Sequence, residues 1–531
     1  MEAQMSKVTN LEKAIREGRL SRRDFMQRAA ALGIGGIAAA SAWKNHALAS
    51  PSRGGHLKLG IGGGSVGEDL SPLTTGSIYL YVSRWAVYNN LIELDSDKNP
   101  VPELAESWDV SDGAKDWLFN IRKGVTFHNG KELDANDVIY SINLHRGEDT
   151  KSSAKPLLSA VTEIKAEGSH KVRFKLSEGQ AEFLYSLADF AMNIVPDGFN
   201  DWNNAVGTGG YSVEHFEPGV SSTFKHNPNY WKSDRAHCDS VELLTITDPA
   251  ARVAALRSGE VHVIDRVEAK VAARLDGVDG IDLVKTPAQN FFNSLMRCDE
   301  GPFSDNDVRL AFKYLLPREQ MLQSLLQGFG TVGNDHPVPS SDPFFNSELP
   351  QRAYDPEKAK WHLNKAGHSS FAVDLYASQA AHPEAINAAT LMQEAAKPAG
   401  VDINVVKAPA DGYWSSIWRN KPFCMSIWGV RPTPSMQMTL AYRSDAPWND
   451  TYFQNAHFDE LLSMVKVEVD PAKRKQLYWD LQEILHNEAG AGIFSFIDTI
   501  DGYSTKVKGT RPDGVRELMG TRICERVWLE A

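Results

Sequence analysis

Short stretches of alternating hydrophobic and polar residues predict β-strands at several points of the chain. The first covers residues 57–61 and leads into a glycine-rich turn at 62–67, and another covers residues 117–122. Alternation of this kind gives a strand one apolar face, as expected where one side of a sheet packs on a core. The dipeptide Asn129-Gly130 then predicts a tight turn, because both residues tolerate positive φ angles.

Other stretches repeat their hydrophobic residues every three to four positions and predict helices that begin at a polar cap. Asp134 is expected to cap one helix, and Ser304 another over residues 305–316. Asp355 and Asp470 are each followed by proline, which favours the first turn of a helix. Strands and helices are mixed along the whole chain, so the predicted fold class is α/β.

The N-terminal residues predict an export signal. Arg22 and Arg23 precede a mild apolar stretch over residues 29–43, and Ala47-Leu48-Ala49 provides a small-residue cleavage site after Ala49. The apolar stretch is shorter than the roughly 20 residues that span a bilayer. It resembles the signals of the twin-arginine translocase, which exports folded proteins. We therefore expect a periplasmic protein without a lipid anchor, since no cysteine lies near the cleavage site.

Charge and cysteine spacing narrow the possible functions. The 531 residues carry a net charge of -12, and removing residues 1–49, with eight basic and four acidic side chains, leaves -16. Nucleic-acid binding is not expected of an acidic chain without basic clusters. No histidine or acidic motif has metal-site spacing, so no metal site built by the protein is expected, and a metal carried by the ligand is left open. Zinc and redox motifs are also not indicated by the scattered cysteines, although one or two disulfides are possible among Cys238, Cys298, Cys424 and Cys524.

The turn at residues 62–67 matches two catalytic patterns, and both are rejected. It fits the G-x-G-x-x-G fingerprint of dinucleotide sites and the G-x-S-x-G nucleophile elbow. Both patterns need a helix directly after the turn, but two acidic residues and Pro72 stand there. We therefore expect no cofactor, and a turn in which Gly64 and Ser65 offer backbone and hydroxyl donors to a cleft.

A series of motifs in one order extends over most of the chain. A block over residues 104–141 begins with Leu-Ala-Glu-Ser-Trp and contains Phe-His-Asn-Gly. It is followed by Gly-Thr-Gly-Gly-Tyr at 207–211, Asn-Pro-Asn-Tyr-Trp at 227–231, Leu-Arg-Ser-Gly-Glu at 256–260 and Tyr-Asp-Pro-Glu-Lys-Ala at 354–359. Over residues 55–510 the chain resembles family 5 of the ABC transporter solute-binding proteins, the peptide, nickel and opine class, with Gly210 where a proline is usual.

The resemblance implies a type II periplasmic-binding-protein clamshell, whose two lobes close on a solute by hinge bending. The first lobe is expected over residues 50–287 and 492–531, with an extra subdomain inserted at roughly 88–200. The second lobe is expected over residues 288–491. The implied role is that of a monomeric binding protein, not an enzyme, that delivers a small-molecule solute to an inner-membrane permease and its ATPase. The alternatives are an exported oxidoreductase or hydrolase and a sensory or chaperone module.

In peptide-binding members of the family, a Trp-Gly-Ala-Asp-Tyr-Pro segment supplies the acid that holds the ammonium group of the peptide. The matching segment at residues 428–434 has Arg431 in place of that acid. A guanidinium binds a carboxylate through two parallel hydrogen bonds and repels an amine. We therefore expect an acid-bearing solute, such as an acidic or modified peptide, an opine-like conjugate or a chelate. The open alternative is that Arg431 pairs with Asp445 or Asp450.

Further candidate ligand contacts are apolar or amide side chains near this segment and at the crossing between the lobes. Arg297 is either a second anion contact or a surface charge, and Trp414 and Trp418 are expected to pack within a helix. The candidates expected to contact the ligand are Trp428, Trp448, Asn449 and, more weakly, Asn290 and Asn293.

Overall fold

The computed structural model describes residues 51–74, 76–152, 154–409, 413–446 and 448–530. The predicted signal segment at 1–49 lies outside these residues. Strands and helices are mixed throughout the described ranges, which confirms the α/β class. In those ranges no helix combines the length and the apolar character needed to cross a membrane.

The strands of the described ranges are numbered in chain order. They are β1 His56–Ile61, β2 Ile92–Leu94, β3 Pro100–Pro102, β4 Ala105–Ser111, β5 Asp116–Ile121, β6 Val161–Ala166, β7 Lys171–Leu176, β8 Tyr211–Glu217, β9 Ser221–His226, β10 Ser240–Thr245, β11 Val263–Ile264, β12 Ile281–Met296, β13 Gly330–Val332, β14 Phe371–Ala377, β15 Val401–Lys407, β16 Phe423–Gly429, β17 Ala491–Ser504, β18 Val507–Lys508 and β19 Trp528–Leu529.

The α-helices of the same ranges are numbered in the same way. They are α1 Ile78–Val87, α2 Ala135–Asn143, α3 Phe183–Leu187, α4 Pro249–Ser258, α5 Ala269–Leu275, α6 Asn306–Tyr314, α7 Arg318–Leu326, α8 Pro356–Lys365, α9 Ala385–Ala396, α10 Tyr413–Ser416, α11 Pro434–Ala441, α12 Ala456–Val467, α13 Pro471–Glu488 and α14 Ile523–Arg526. Short 3-10 turns cover Lys155–Leu158, Gly301–Ser304 and Lys397–Ala399, and Glu517–Gly520 forms a turn whose two central residues have positive φ.

Two long strands run through the middle of the largest sheet. Its order is β15-β14-β16-β12-β17-β11-β1-β10-β9-β8, with β13 also paired to β17. β12 and β17 are antiparallel neighbours and pair from Ile281 opposite Ser504 to Leu295 opposite Ala491. A register shift interrupts this pairing between Thr286 and Asn290. These strands therefore join the β1 side of the sheet to the β16 side.

The buried hydrophobic side chains form several clusters. The first core packs around β1 and α1 and includes Tyr79. The small-sheet core packs on the four-stranded sheet β4-β5-β7-β6 and includes Phe119 and Phe183. Two further cores contain neighbouring residues of β12: Phe292 belongs to the third core and Phe291 to the fourth. Successive side chains of a strand point to opposite faces, so β12 carries one core on each side.

The helix starts follow the sequence closely, with one correction. Asp134, Asp355 and Asp470 each accept hydrogen bonds from amides of the first turn of their helix, as predicted. The helix expected after Ser304 is capped instead by Asp305, whose side chain accepts from the Asp307 amide. Ser304 lies in the preceding 3-10 turn because its hydroxyl donates back to the carbonyl of Gly301 at 2.8 Å.

All four cysteines are free thiols in the described residues. The disulfides that the sequence left possible are therefore not formed in this structure. Burial raises the pKa of Cys238 and of Cys424 to about 12, so both thiols are held in their unreactive protonated form.

Candidate ligand site

The segment that carries Arg431 is a short loop between β16 and α11. β16 ends at Gly429, which lies opposite Asn290 of β12. A Cβ placed on Gly429 would lie 3.8 Å from Asn290 Oδ1 and 3.9 Å from Arg431 Nη1, so both side chains border this glycine. Thr433 ends the loop and caps α11, because its hydroxyl accepts from the Met436 amide. The loop is thereby fixed at both ends.

Arg431 is partly buried and makes no ion pair within 4 Å with any residue of the described ranges. Burial and, secondly, the nearby charge of Arg516 lower the pKa of Arg431. A guanidinium keeps its proton in proteins despite such a shift. The loop therefore presents a cation that no carboxylate of the described ranges pairs with.

The two carboxylates proposed as alternative partners of Arg431 are engaged elsewhere. Asp445 pairs with Arg443. Asp450 accepts from the indole N–H groups of Trp428 at 2.7 Å and Trp418 at 3.2 Å. The alternative in which Arg431 pairs with either acid is therefore wrong for this structure.

Trp428 and Trp448 lie next to each other, with ring centres 6.1 Å apart. Trp428 is only 8% exposed, whereas Trp448 is 45% exposed. Burial raises the pKa of Asp450 to about 6, although its hydrogen bonds from Trp428 and Trp418 oppose that rise. Asp450 thus fixes the Trp428 ring from behind, and Trp448 offers the accessible aromatic face of the pair.

Asn449 has its side chain fully occupied inside its own loop. Its amide nitrogen donates to the carbonyls of Arg443 and Phe453 at 3.3 and 2.7 Å. Its amide oxygen accepts from the Phe453 amide at 3.1 Å and the Thr451 hydroxyl at 3.4 Å. These contacts show Asn449 positioning the loop that carries Trp448, with no spare hydrogen-bonding group for a ligand.

Asn293 is completely buried in β12, directly opposite Ser426 of β16. Neither polar atom of the Asn293 amide, nor the Ser426 hydroxyl, has a hydrogen-bond partner among the described residues. Buried polar groups normally have a hydrogen-bond partner. The Asn293 and Ser426 side chains are therefore suited to hydrogen bonds with a bound water molecule or a ligand atom.

Gly64 and Ser65 lie on a turn that packs against the β8–β9 hairpin. Gly64 has a φ of +129°, and a Cβ there would lie 2.8 Å from Thr245 Oγ1. The Ser65 amide donates to Glu68 at 3.3 Å. Among the described residues, the contacts of Gly64 and Ser65 are with their own segment, the β8–β9 hairpin and Thr245, and their role as donors to the ligand stays a prediction.

Arg297 and the tryptophan pair before β16 have structural contacts. Arg297 pairs with Asp299 at 2.8 Å and Glu300 at 2.9 Å, which supports a surface charge over an anion contact. The helix α10 covers only Tyr413–Ser416, so Trp418 lies beyond its end, contrary to the prediction. The rings of Trp414 and Trp418 nevertheless touch, with centres 5.8 Å apart.

Two residues near the loop were not predicted from the sequence. Arg516 is the charge that acts on Arg431, and its Cζ lies 5.0 Å from the centre of the Tyr81 ring. Glu182 accepts a hydrogen bond from Thr433 at 2.7 Å. Both are far from residues 428–434 in the chain, and only the fold brings them near.

No group of three or more His, Cys, Asp or Glu side chains suited to a metal ion occurs in the described ranges.

The chain is similar in sequence to known binding proteins. The family model described as bacterial extracellular solute-binding proteins, family 5 Middle, matches residues 99–450. The dipeptide-binding protein of Escherichia coli is 26% identical over 481 residues, covering 82% of this chain and 88% of that protein.

The fold is also similar to solved structures. HbpA2 from Haemophilus parasuis superposes with a TM-score of 0.80 at 21% identity, covering 90% of this chain and 100% of that one. The periplasmic binding protein AgaA from A. tumefaciens R10, solved with agropinic acid, superposes with a TM-score of 0.71 at 23% identity, covering 90% of this chain and 99% of that one. The fold is that of type II periplasmic binding proteins.

Proposed function

We propose, because the chain belongs to family 5 of the bacterial extracellular solute-binding proteins, that it captures an acid-bearing organic solute for an ABC importer. Proteins of this family bind small solutes and work with an ABC permease and its ATPase. The observation that carries the acid-bearing part is Arg431, a partly buried guanidinium without a carboxylate partner among the described residues.

The charge of the loop supports an anionic ligand. Arg431 and Arg516 are near enough for one charge to affect the other, and each adds positive potential. Arg516 has a weak acidic partner, Glu517, 3.6 Å from its Nε. A ligand carboxylate would relieve the repulsion between the two cations, whereas a ligand amine would increase it.

The size of the effect follows from the hydrogen bonds that Arg431 offers. A hydrogen bond to a charged group contributes about 1.5–3 kcal/mol, and a guanidinium binds a carboxylate through two of them. Every 1.4 kcal/mol changes affinity about tenfold. Loss of the Arg431 charge is therefore expected to weaken binding by two or more powers of ten, about 3 kcal/mol.

Side chains around the loop supply the other contacts of the proposed site. Trp448, with Trp428 behind it, forms an apolar wall. Asn290 borders Gly429 together with Arg431, and the Asn293 amide has polar atoms without partners in the described residues. An apolar wall with a few convergent polar groups is typical of small-molecule sites.

The mechanism is closure of two lobes around the solute. We place the lobes at residues 50–287 with 492–531 and at 288–491, with a subdomain at about 88–200 in the first. The two connections between these lobes then fall within β12 and at the start of β17. A solute that contacts both lobes only when they are closed shifts the equilibrium towards the form that the permease recognises. On this proposal the protein works in the periplasm, after export by the twin-arginine translocase.

The experiment is a thermal-shift screen of the mature protein with matched ligands. The panel contains agropinic acid, dipeptides with free termini, N-acetyl dipeptides, which keep only the carboxylate, and dipeptide amides, which keep only the amine. A ligand at 100 times its dissociation constant stabilises by about 2.7 kcal/mol, an easily measured rise in melting temperature.

The proposal predicts stabilisation by carboxylate-bearing compounds and none by the amides. The response should be lost in Arg431→Gln and retained in Arg443→Gln, a control whose arginine pairs with Asp445. A response confined to compounds with a free amine, or an undiminished response in Arg431→Gln, would contradict it.

A further inference from the structure

The carboxylate of Glu182 is surrounded by four donors from distant parts of the chain. Its Oε2 accepts from the hydroxyls of Thr433, at 2.7 Å, and Ser435. Its Oε1 accepts from the Tyr478 hydroxyl and from Arg474 Nη2, the latter at 3.3 Å. The side chain is only 12% exposed. All four donors are protein groups, so this contact needs no ligand.

These contacts connect two separate hydrophobic cores. Glu182 directly precedes Phe183, which belongs to the small-sheet core. The donors lie on α11 and its cap and on α13, where Tyr478 belongs to the fourth core. A backbone hydrogen bond crosses the same boundary, because the Ala181 amide donates to the Lys466 carbonyl at 2.7 Å. The crossing contact is therefore formed by both side chain and backbone.

The Glu182 contact differs in strength from a second ion pair that joins the proposed lobes. Lys270 lies 2.6 Å from Glu384, but the lysine side chain is 59% exposed. Exposed ion pairs contribute little because water and salt screen them. A largely buried carboxylate with four donors loses all of them together when the boundary opens, so it dominates the contact.

We infer that Glu182 is a closing contact that holds the two lobes together in the absence of ligand. The inference rests on the proposed two-lobe closure. Its donors Thr433 and Ser435 follow Arg431 by two and four residues, so the contact also holds the ligand loop in place. The apparent affinity for a ligand is proportional to the fraction of the protein that is in the binding-competent form. By raising the closed fraction, Glu182 acts as a positioning residue that increases affinity without touching the solute.

Hydrogen exchange on the ligand-free mature protein tests this inference. The Ala181 amide is the reporter, since its acceptor lies across the boundary. The Phe183 amide, which donates to Gln180 at 3.2 Å within its own segment, is the internal reference. Glu182→Gln keeps the size of the side chain but removes its charge and one acceptor oxygen. Tyr478→Phe removes a donor from the other side and retains the buried ring.

Both variants should raise the exchange rate of the Ala181 amide by about tenfold or more, which corresponds to one charge-assisted hydrogen bond. The Phe183 amide should keep its rate. The matched control Glu163→Gln, an exposed acid of the small sheet that pairs with Lys175 and not across the boundary, should leave both amides unchanged. Unchanged exchange at Ala181 in both variants, or an equal rise in Glu163→Gln, would overturn the inference. No solute is added, so this result is independent of whether the ligand bears an acid.

Discussion

Replacing Arg522 with methionine should destabilise the protein strongly. The Arg522 guanidinium donates to both carboxylate oxygens of Glu103, at 2.7 and 3.0 Å, and to Glu525 at 3.2 Å. Its Cζ lies 3.7 Å from the centre of the Trp85 ring. Methionine retains the packing on this ring but leaves the buried acids with one cation fewer. Removing one partner of a buried ion pair costs about 3–5 kcal/mol.

The neighbouring groups place the expected loss at the lower end of that range. Lys232 still lies 2.7 Å from Glu103, and the Asn90 amide donates to the same carboxylate at 2.9 Å. Arg235 remains 3.3 Å from Glu525. Both carboxylates therefore keep some of the groups that offset their burial, and we expect the free energy of unfolding to fall by about 3 kcal/mol.

The assay is urea unfolding of the mature protein and of Arg522→Met, followed by circular dichroism. Arg443→Met is the matched control, because that arginine pairs with Asp445 at the surface, and its midpoint should not move measurably. Equal midpoints for Arg522→Met and the unchanged protein would refute the reasoning that these buried acids depend on Arg522. An equal loss in the control would refute it as well.

Three further predictions concern titratable side chains. Burial opposes ionisation of Glu525, yet Lys232 and neighbouring arginines hold its pKa at about 2, below the ordinary 4.5. The contribution of Glu525 to stability is therefore present above pH 4.5 and is lost as the pH falls towards 2. Thermal unfolding as a function of pH should show this loss, and Glu525→Gln should lack that part of it. Asp450 has a pKa of about 6 and accepts a hydrogen bond from the Trp428 indole. Tryptophan fluorescence emission should therefore change with a midpoint near pH 6, and this change should be absent in Asp450→Asn. The four cysteines should all be alkylated in unfolded, unreduced protein, and mass spectrometry showing fewer than four additions would contradict the free thiols.

Much of the secondary structure could be predicted because its signals are local. A capping aspartate and the proline after it act within one helical turn, and this is why Asp355 and Asp470 were placed correctly. Ser304 and Asp305 are adjacent candidates for one cap, and the sequence does not show which side chain reaches the first amides. The same limit applies to α10, which ends before Trp418.

The candidate site depended on information that is not local. The sequence places Arg431 two residues after a glycine but does not show which acids lie near it. Asp445 and Asp450 are close to Arg431 in the chain. Only the fold shows that Asp445 pairs with Arg443 and that Asp450 accepts hydrogen bonds from two indoles. Glu182 is 251 to 296 residues from its donors, and no spacing rule connects side chains at that separation.

The sequence candidates that contact no ligand-loop residue also have physical explanations. Asn449 follows Trp448 and shares its loop, but the loop needs the amide to satisfy its own backbone. The turn with Gly64 and Ser65 is fixed against Thr245 and Glu68. A polar residue in a predicted turn therefore often stabilises that turn, and burial and hydrogen-bond partners are needed to tell the two roles apart.

The most direct test of the central claim is a change of ligand preference on charge reversal at Arg431. Calorimetric titration would compare one N-acetyl dipeptide with the matching dipeptide amide, on the mature protein and on Arg431→Asp. The account predicts that the mature protein binds the acetylated compound, with its carboxylate, and that Arg431→Asp binds the amide, with its ammonium group, in preference. The same preference in both proteins would contradict a ligand held through its acid group by Arg431.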